Sequence, residues 1–214
     1  MRKAILHRYT NLASAIFVLK RRAVTLLSPA LWDDRNDAYF MAQYKARKSL
    51  KSVLALCFSE VPETYHHWRV FSHGSDGVRI EFDKVKLLAV FKGDTRFMAR
   101  PVRYREIGQL QADTAPRAEE LPFLKRYPYR DEKEFRIVYR CDDEAVETKS
   151  FPIPLTAIAR ITLSPWMPLP LADDVRQLLR TIDGCAGLSV VRSTLLENER
   201  WKKLAAPGKA REPS

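Results

Sequence analysis

Apolar residues recur along the chain with a period that changes several times, and the changes mark out its elements. Val78, Ile80 and Phe82 alternate with Arg79 and Glu81, which predicts a strand with one face buried and the other wet. The run VLALCFS at 53–59 is apolar almost throughout, as expected of a strand covered on both faces. Further short strands are predicted at 4–9, 24–27, 100–104, 135–139, 158–163 and 189–191. Leu12, Ala15, Ile16 and Leu19 fall on one helical face, with Thr10 or Asn11 able to cap the start and Lys20, Arg21 and Arg22 suiting the end. Helices are also expected at 37–49, 63–71 and 171–182, helix or turn at 84–91, and a polar excursion at 108–122 with a helical second half.

These elements mix without a regular βαβ relay, so the fold class expected is α+β. Residues 1–204 read as a single domain, with the strands in a split or mainly antiparallel twisted sheet with flanking helices. Residues 205–214 read as a disordered basic tail. With 214 residues, 46% of them hydrophobic, the chain is long and apolar enough to build a core.

Charge changes the picture of partners. Lys and Arg number 37 against 26 Asp and Glu, a net charge of +11 that suggests a polyanion. Much of the excess sits at the ends: Arg2, Lys3, Arg8, Lys20, Arg21 and Arg22 at one, and Arg200, Lys202, Lys203, Lys209 and Arg211 against Glu212 at the other. Solubility and a solvated tail are the simpler account of that distribution; nucleic acid, held by the basic termini and by the helix bearing Lys45, Arg47, Lys48 and Lys51, is the macromolecular partner to set beside it. Cys57, Cys141 and Cys185 are an odd number without C-x-x-C spacing, so neither a disulfide framework nor a Cys-rich zinc site is expected, and the chain reads as cytoplasmic. His7 and Arg8 interrupt the apolar start, so a signal peptide is not expected there, and no run approaches the roughly 18 apolar residues of a membrane span. Nothing in the sequence sets an oligomeric state.

Among candidate chemical groups, Glu132 and Glu134 stand two apart ahead of Arg136. Strand geometry would put all three on one face, where carboxylates can hold a ribose hydroxyl and stabilise an oxocarbenium ion, or pair with the arginine. His7, Arg8, Tyr9 and Thr10 end the first strand where a helix begins, a place suited to a polar ligand, with a capping Thr and a partly buried Tyr as the simpler account. Trp68 opens WRVFSHGSDGVRIEF, which lacks the glycine spacing of a phosphate-binding loop. Asp33 and Asp34 after Trp32 could bind a cation or a sugar, although Asp is common in such turn-rich segments. His66, His67 and His73 have no ligand spacing, so no metal is expected, and no serine occupies a G-x-S-x-G elbow.

Five of these blocks, in order, resemble the bacterial family known as domain of unknown function 2971: Leu6-His7-Arg8-Tyr9-Thr10, Trp32-Asp33-Asp34-Arg35, Cys57-Phe58-Ser59, Trp68 through Gly77 to Phe82, and Lys125 through Glu132 and Glu134 to Arg136. Arg35, Phe71 and Tyr129 stand where that family usually has Pro, Tyr and Trp. A weaker resemblance is to ADP-ribosyltransferase-like domains, including toxins that modify DNA. That resemblance implies an NAD-consuming enzyme in toxin or phage-defence biology, with NAD as substrate. His7, Arg8, Tyr9 and Thr10 would hold its nicotinamide ribose and diphosphate, Ser59 and Trp68 would support the pocket, and Glu134 with Glu132 would be catalytic. A non-catalytic module binding nucleic acid or a protein partner is the alternative reading.

Overall fold

The computed structural model describes residues 4–72, 74–112 and 115–205, apart from the side chains of Leu31 and Ala112. His73 and the expected tail from residue 206 onward lie outside the described residues. Strand β1 (Ile5–Asn11) runs straight into helix α1 (Leu12–Arg21). Asn11 rather than Thr10 is the cap, its side chain accepting the Ser14 N–H at 2.8 Å. Arg22, in the left-handed region at φ 48°, ends the helix and turns the chain into β2 (Ala23–Leu27). Asp34 caps α2 (Arg35–Arg47) by accepting the N–H groups of Asn36 and Asp37. There follow β3 (Ser52–Ser59), α3 (Tyr65–Phe71), β4 (Gly77–Asp83), α4 (Lys84–Ala89), β5 (Phe97–Pro101), β6 (Arg103–Arg105) and α5 (Ile107–Ala112). The second half of the chain supplies β7 (Leu124–Arg126), β8 (Glu134–Cys141), β9 (Thr148–Pro152), β10 (Ile158–Leu163), α6 (Leu169–Thr181), β11 (Val190–Arg192) and α7 (Glu199–Leu204).

The class is the expected α+β, with one large, mainly antiparallel sheet. Nine strands form it, in the order β11-β10-β4-β1-β3 with β8 and then β5 on the other side of β3. The sheet is split, because β1 and β2 lie along the same edge of β3: β1 pairs with it at His7–Ser59 and β2 at Leu27–Ala55. β9 pairs with β2, β10 and β11 are parallel, and β6 and β7 form a separate parallel pair. The strand expected at 100–104 is the end of β5 and the start of β6. In the excursion at 108–122 an α-helix fills the first half and a 3-10 turn, Ala118–Phe123, the second.

Strand periodicity gives the sheet two unlike faces. On one, Leu6, Phe58, Ile80, Phe82 and Phe135 join a core with Leu19 of α1, Leu87 of α4 and Leu179 of α6. On the other, β3 and β8 divide along their length. Val53, Ala55 and Val138 are covered by Met41 and Tyr44 of α2 and by Leu121 and Phe123. Toward Ser59 and Glu134 the same face turns polar.

α3 is anchored over β1 by its last turn. The hydroxyl of Ser72 donates to the Thr10 carbonyl at 3.2 Å, and a Cβ on Gly77 would lie 2.1 Å from that oxygen. Gly77→Ala is therefore expected to displace Ser72 and lower stability by about 1–3 kcal/mol, read by urea unfolding. Unchanged stability would mean that Ser72 yields without loss.

Candidate active site

The site is a row of side chains laid across four strands. The register pairs Glu81 of β4 with His7, His7 with Ser59 of β3, and Ser59 with Glu134 of β8. Directly opposed residues share a face, so these side chains point the same way. Below Ser59 the edge of β3 is free of β1, and the Arg8 guanidinium reaches into that gap to donate to the Cys57 carbonyl at 3.1 Å. A cavity of about 510 Å³ lies over the row, walled by Trp32, Tyr129, Val70 and Phe71. Its lining has five carboxylates, Asp33, Asp34, Asp37, Glu132 and Glu134, against the cations Arg8, Lys125 and Arg136. It is an acidic recess in a basic protein.

Glu134 is the most constrained of these groups. Arg136, wholly buried, donates to both its oxygens at 2.7 and 2.9 Å and, from the other side of the fork, to both oxygens of Asp37 at 3.0 and 2.7 Å. The Pro122 carbonyl takes a further Arg136 N–H, and the Trp32 ring lies 4.7 Å from the guanidinium. Lys125 then bridges Glu134 at 3.3 Å and Glu132 at 2.6 Å. The result is a buried ladder of alternating sign: Asp37, Arg136, Glu134, Lys125, Glu132. Burial by itself would push the Glu134 carboxyl up, but Arg136 and Lys125 outweigh it and hold it at about 2. Burial likewise disfavours the Lys125 ammonium, yet Glu134 and Glu132 raise it above its ordinary value. For Glu132 burial prevails over Lys125, and its carboxyl is raised.

The backbone route to this pair differs from the sequence expectation. Glu132 is not on the strand. It closes the 3-10 turn Tyr127–Glu132, and Lys133, left-handed at φ 45°, reverses the chain before Glu134 begins β8. The Glu134 N–H donates to the Tyr104 hydroxyl at 2.8 Å, which fixes where the strand starts.

His7 is buried, and its Nδ1 has no hydrogen-bond partner among the described residues. Burial first, then the neighbouring Arg79 and His67, lower its pKa from 6.5 to about 4. The ring is neutral at pH 7. The unfolded chain takes up this proton at about pH 6.5 and the folded chain only near 4, so stability is full above 6.5 and declines as pH falls toward 4. The loss amounts to about 3 kcal/mol. His7→Gln, neutral throughout, should show a shallower decline in melting temperature between pH 6.5 and 4.5 than the parent; parallel curves would contradict this. Beside His7, Tyr9 stacks on the His67 ring at 5.5 Å and meets Trp68 edge-on at 5.2 Å.

Of the candidates from sequence, His7, Arg8, Tyr9, Ser59, Glu132 and Glu134 all line the cavity. Thr10 and Trp68 do not. Thr10 follows Tyr9 on the strand, so its side chain projects to the other face, and its carbonyl is taken by Ser72. Trp68 is fully buried, its indole N–H donating to Glu63 at 2.9 Å, and it acts as packing beneath Tyr9. Asp37, Lys125 and His67 were missed as site residues. Asp37 looks in sequence like an ordinary first-turn acid, and Lys125 like one more surface cation. The available signal was Arg136, which at the centre of an apolar strand would need more than one carboxylate.

The basic helix is largely engaged within the chain. Arg47 donates to the Pro116 carbonyl, Lys48 pairs with Glu119, and Lys51 donates to the Asp143 carbonyl. Among the described residues, the group of potential metal ligands brought together is Cys141, Asp142 and Asp143, at the end of β8 away from Glu134, and it includes no histidine. No helix of the described residues is long and apolar enough to cross a membrane.

No family model matches the chain, so its resemblance to domain of unknown function 2971 rests on the ordered motifs alone, and no curated protein matches it. Solved structures of DarT from Thermus sp. 2.9 are similar in overall shape. The complex with NAD+ has a TM-score of 0.46 at 10% identity, covering 90% of this chain and 96% of that one. The complex with carba-NAD+ gives 0.43 at 13% identity over 91% and 97%, and that with ADP-ribosylated single-stranded DNA 0.46 at 13% over 89% and 94%. Any function has to be read from the cavity's own geometry.

Proposed function

We propose that the chain is an NAD-consuming, ADP-ribosyltransferase-like enzyme. The observation that carries this reading is Glu134: a buried carboxylate kept ionised by Arg136 and Lys125, in line with Ser59 and His7 on the floor of one cavity. A carboxylate so fixed, with little water around it, stabilises a positive charge that develops during reaction. In NAD, heterolysis of the nicotinamide–ribose bond sends the electron pair to the ring nitrogen, which becomes neutral, and leaves the cation on the ribosyl carbon. Glu134 offsets that cation. The acceptor then adds to the same carbon and gives up a proton, for which Glu132, raised by burial and at the cavity wall, is the placed base.

The other residues serve binding. The cavity has the volume of a nucleotide-sized site. His7 Nδ1 offers an unused polar atom, Arg8 a guanidinium, and Trp32 and Tyr129 aromatic walls. The net charge of +11 concentrates polyanions, so nucleic acid is the acceptor to try beside water. Cys57, Cys141 and Cys185 are all free, in keeping with a cytoplasmic protein. The test is to incubate the full chain with NAD, alone and with single-stranded DNA or RNA, and to measure nicotinamide. Release above the uncatalysed rate is expected; the absence of both nicotinamide release and NAD binding at millimolar concentration overturns the reading.

A further inference from the structure

His67 is a buried titratable group that the chemistry above does not use, and its hydrogen bonds bear on what Ser59 can do. The Glu132 carbonyl, which only accepts, lies 3.2 Å from Nε2, so that nitrogen carries the proton. On the opposite side of the ring Nδ1 lies 2.6 Å from the Thr64 hydroxyl. Thr64 caps α3 and already accepts the His67 backbone N–H at 3.1 Å, so its own hydrogen is the one available to Nδ1. Burial disfavours the charged ring, and both nitrogens of the neutral form are satisfied. Ser59 Oγ then has two donors against it, the His67 Nε2–H at 3.3 Å, whose one hydrogen it shares with the Glu132 carbonyl, and the Val61 N–H at 3.4 Å, and no acceptor among the described residues.

We infer that His67 is a positioning residue that turns Ser59 into a hydrogen-bond donor aimed into the cavity, where it selects ligands presenting an acceptor oxygen beside Glu134. A histidine next to a serine invites the opposite assignment, with the ring as base and the serine as nucleophile. That assignment puts the proton on Nδ1 and turns a bare Nε2 toward a carbonyl oxygen. The two differ in one observable, the tautomer. The identity of the ligand rests on the NAD reading; the direction of the Ser59 hydrogen does not.

The experiment has two arms on the full chain. In the first, the ligand-free protein carries ¹⁵N-labelled histidine, and a multiple-bond ¹H–¹⁵N spectrum, with His67 assigned by its loss in His67→Gln, reads the protonated nitrogen. Nε2–H with bare Nδ1 is expected; Nδ1–H, or a doubly protonated ring at pH 7, overturns the inference. In the second, NAD affinity is measured by calorimetry. Ser59→Ala and His67→Leu should each bind about tenfold more weakly, the loss of one hydrogen bond, while His67→Gln, whose amide still presents an N–H near the Nε2 position, stays within about threefold of the parent. Equal weakening in the Gln and Leu variants, or unchanged binding by Ser59→Ala, overturns it. If the parent binds no NAD while the Nε2–H tautomer is present, the NAD reading falls and the assignment of the Ser59 hydrogen stands.

Discussion

Glu134→Gln is expected to lower nicotinamide release from NAD by a factor of about 10²–10³, the loss typical when one preorganised electrostatic group is removed from a site that excludes water. The substitution keeps the shape of the side chain and removes its charge. One oxygen remains to accept from Arg136, but the new amide meets donors from Arg136 and Lys125, so stability should fall as well, by about 1–3 kcal/mol. Turnover therefore has to be compared at a temperature where circular dichroism shows both proteins folded. Glu134→Asp is the useful companion: it keeps the charge and shortens the reach, and an activity between those of the parent and the Gln variant is expected. Equal turnover by parent and Gln variant would exclude the carboxylate from the reaction.

Arg136→Met should have the largest effect on stability. The guanidinium is the shared partner of Asp37 and Glu134, whose side chains are 2% and 7% exposed. Removing it leaves two buried carboxylates, with Lys125 as the nearby cation for both, 3.8 Å from Asp37 and 3.3 Å from Glu134. Breaking a buried ion pair from one side costs about 3–5 kcal/mol, which for a domain of this size lowers the melting temperature by roughly 10 °C. Asp37→Asn combined with Arg136→Met should recover part of that loss, because one stranded charge goes with its partner; a double variant as unstable as the sum of the two singles would refute the coupling. A fall of less than about 1 kcal/mol in Arg136→Met would show that the ladder contributes little to the fold.

How far the sequence foretold this arrangement depends on how local each constraint is. The alternation at 78–82 reports a half-buried strand because every residue in it answers to the same two faces, and β4 appears as expected. β9 could not be read that way: Thr148–Pro152 is an edge strand alternating between exposed and half-buried positions, with Phe151 its one large apolar residue, so its pairing with β2 has little hydrophobic signature. The spacing of Glu132 and Glu134 correctly placed two carboxylates together, yet for the wrong reason. They meet because Lys133 takes a left-handed turn and Lys125 bridges them, not because they share a strand face. Asp37 joins them from a helix almost a hundred residues earlier, through Arg136. His67, read in sequence only as an unpromising metal ligand, takes its place from Thr64, and the cap that starts α3 is the same hydroxyl that lies against its Nδ1.

The row from His7 through Ser59 to Glu134 also bears on when the protein becomes competent. Its members come from three distant stretches of chain, joined by the β1–β3 and β3–β8 ladders. Each ladder closes a long loop, and such non-local pairings form slowly because their entropy must be met before their contacts repay it. A partly synthesised chain that ends before β8 has the His7 and Ser59 strands but lacks Glu134 and the Arg136 that holds it. Competence should therefore arrive late, only once the β3–β8 ladder has closed. On the reading proposed above, a chain still emerging from the ribosome would have no working pocket to offer to NAD.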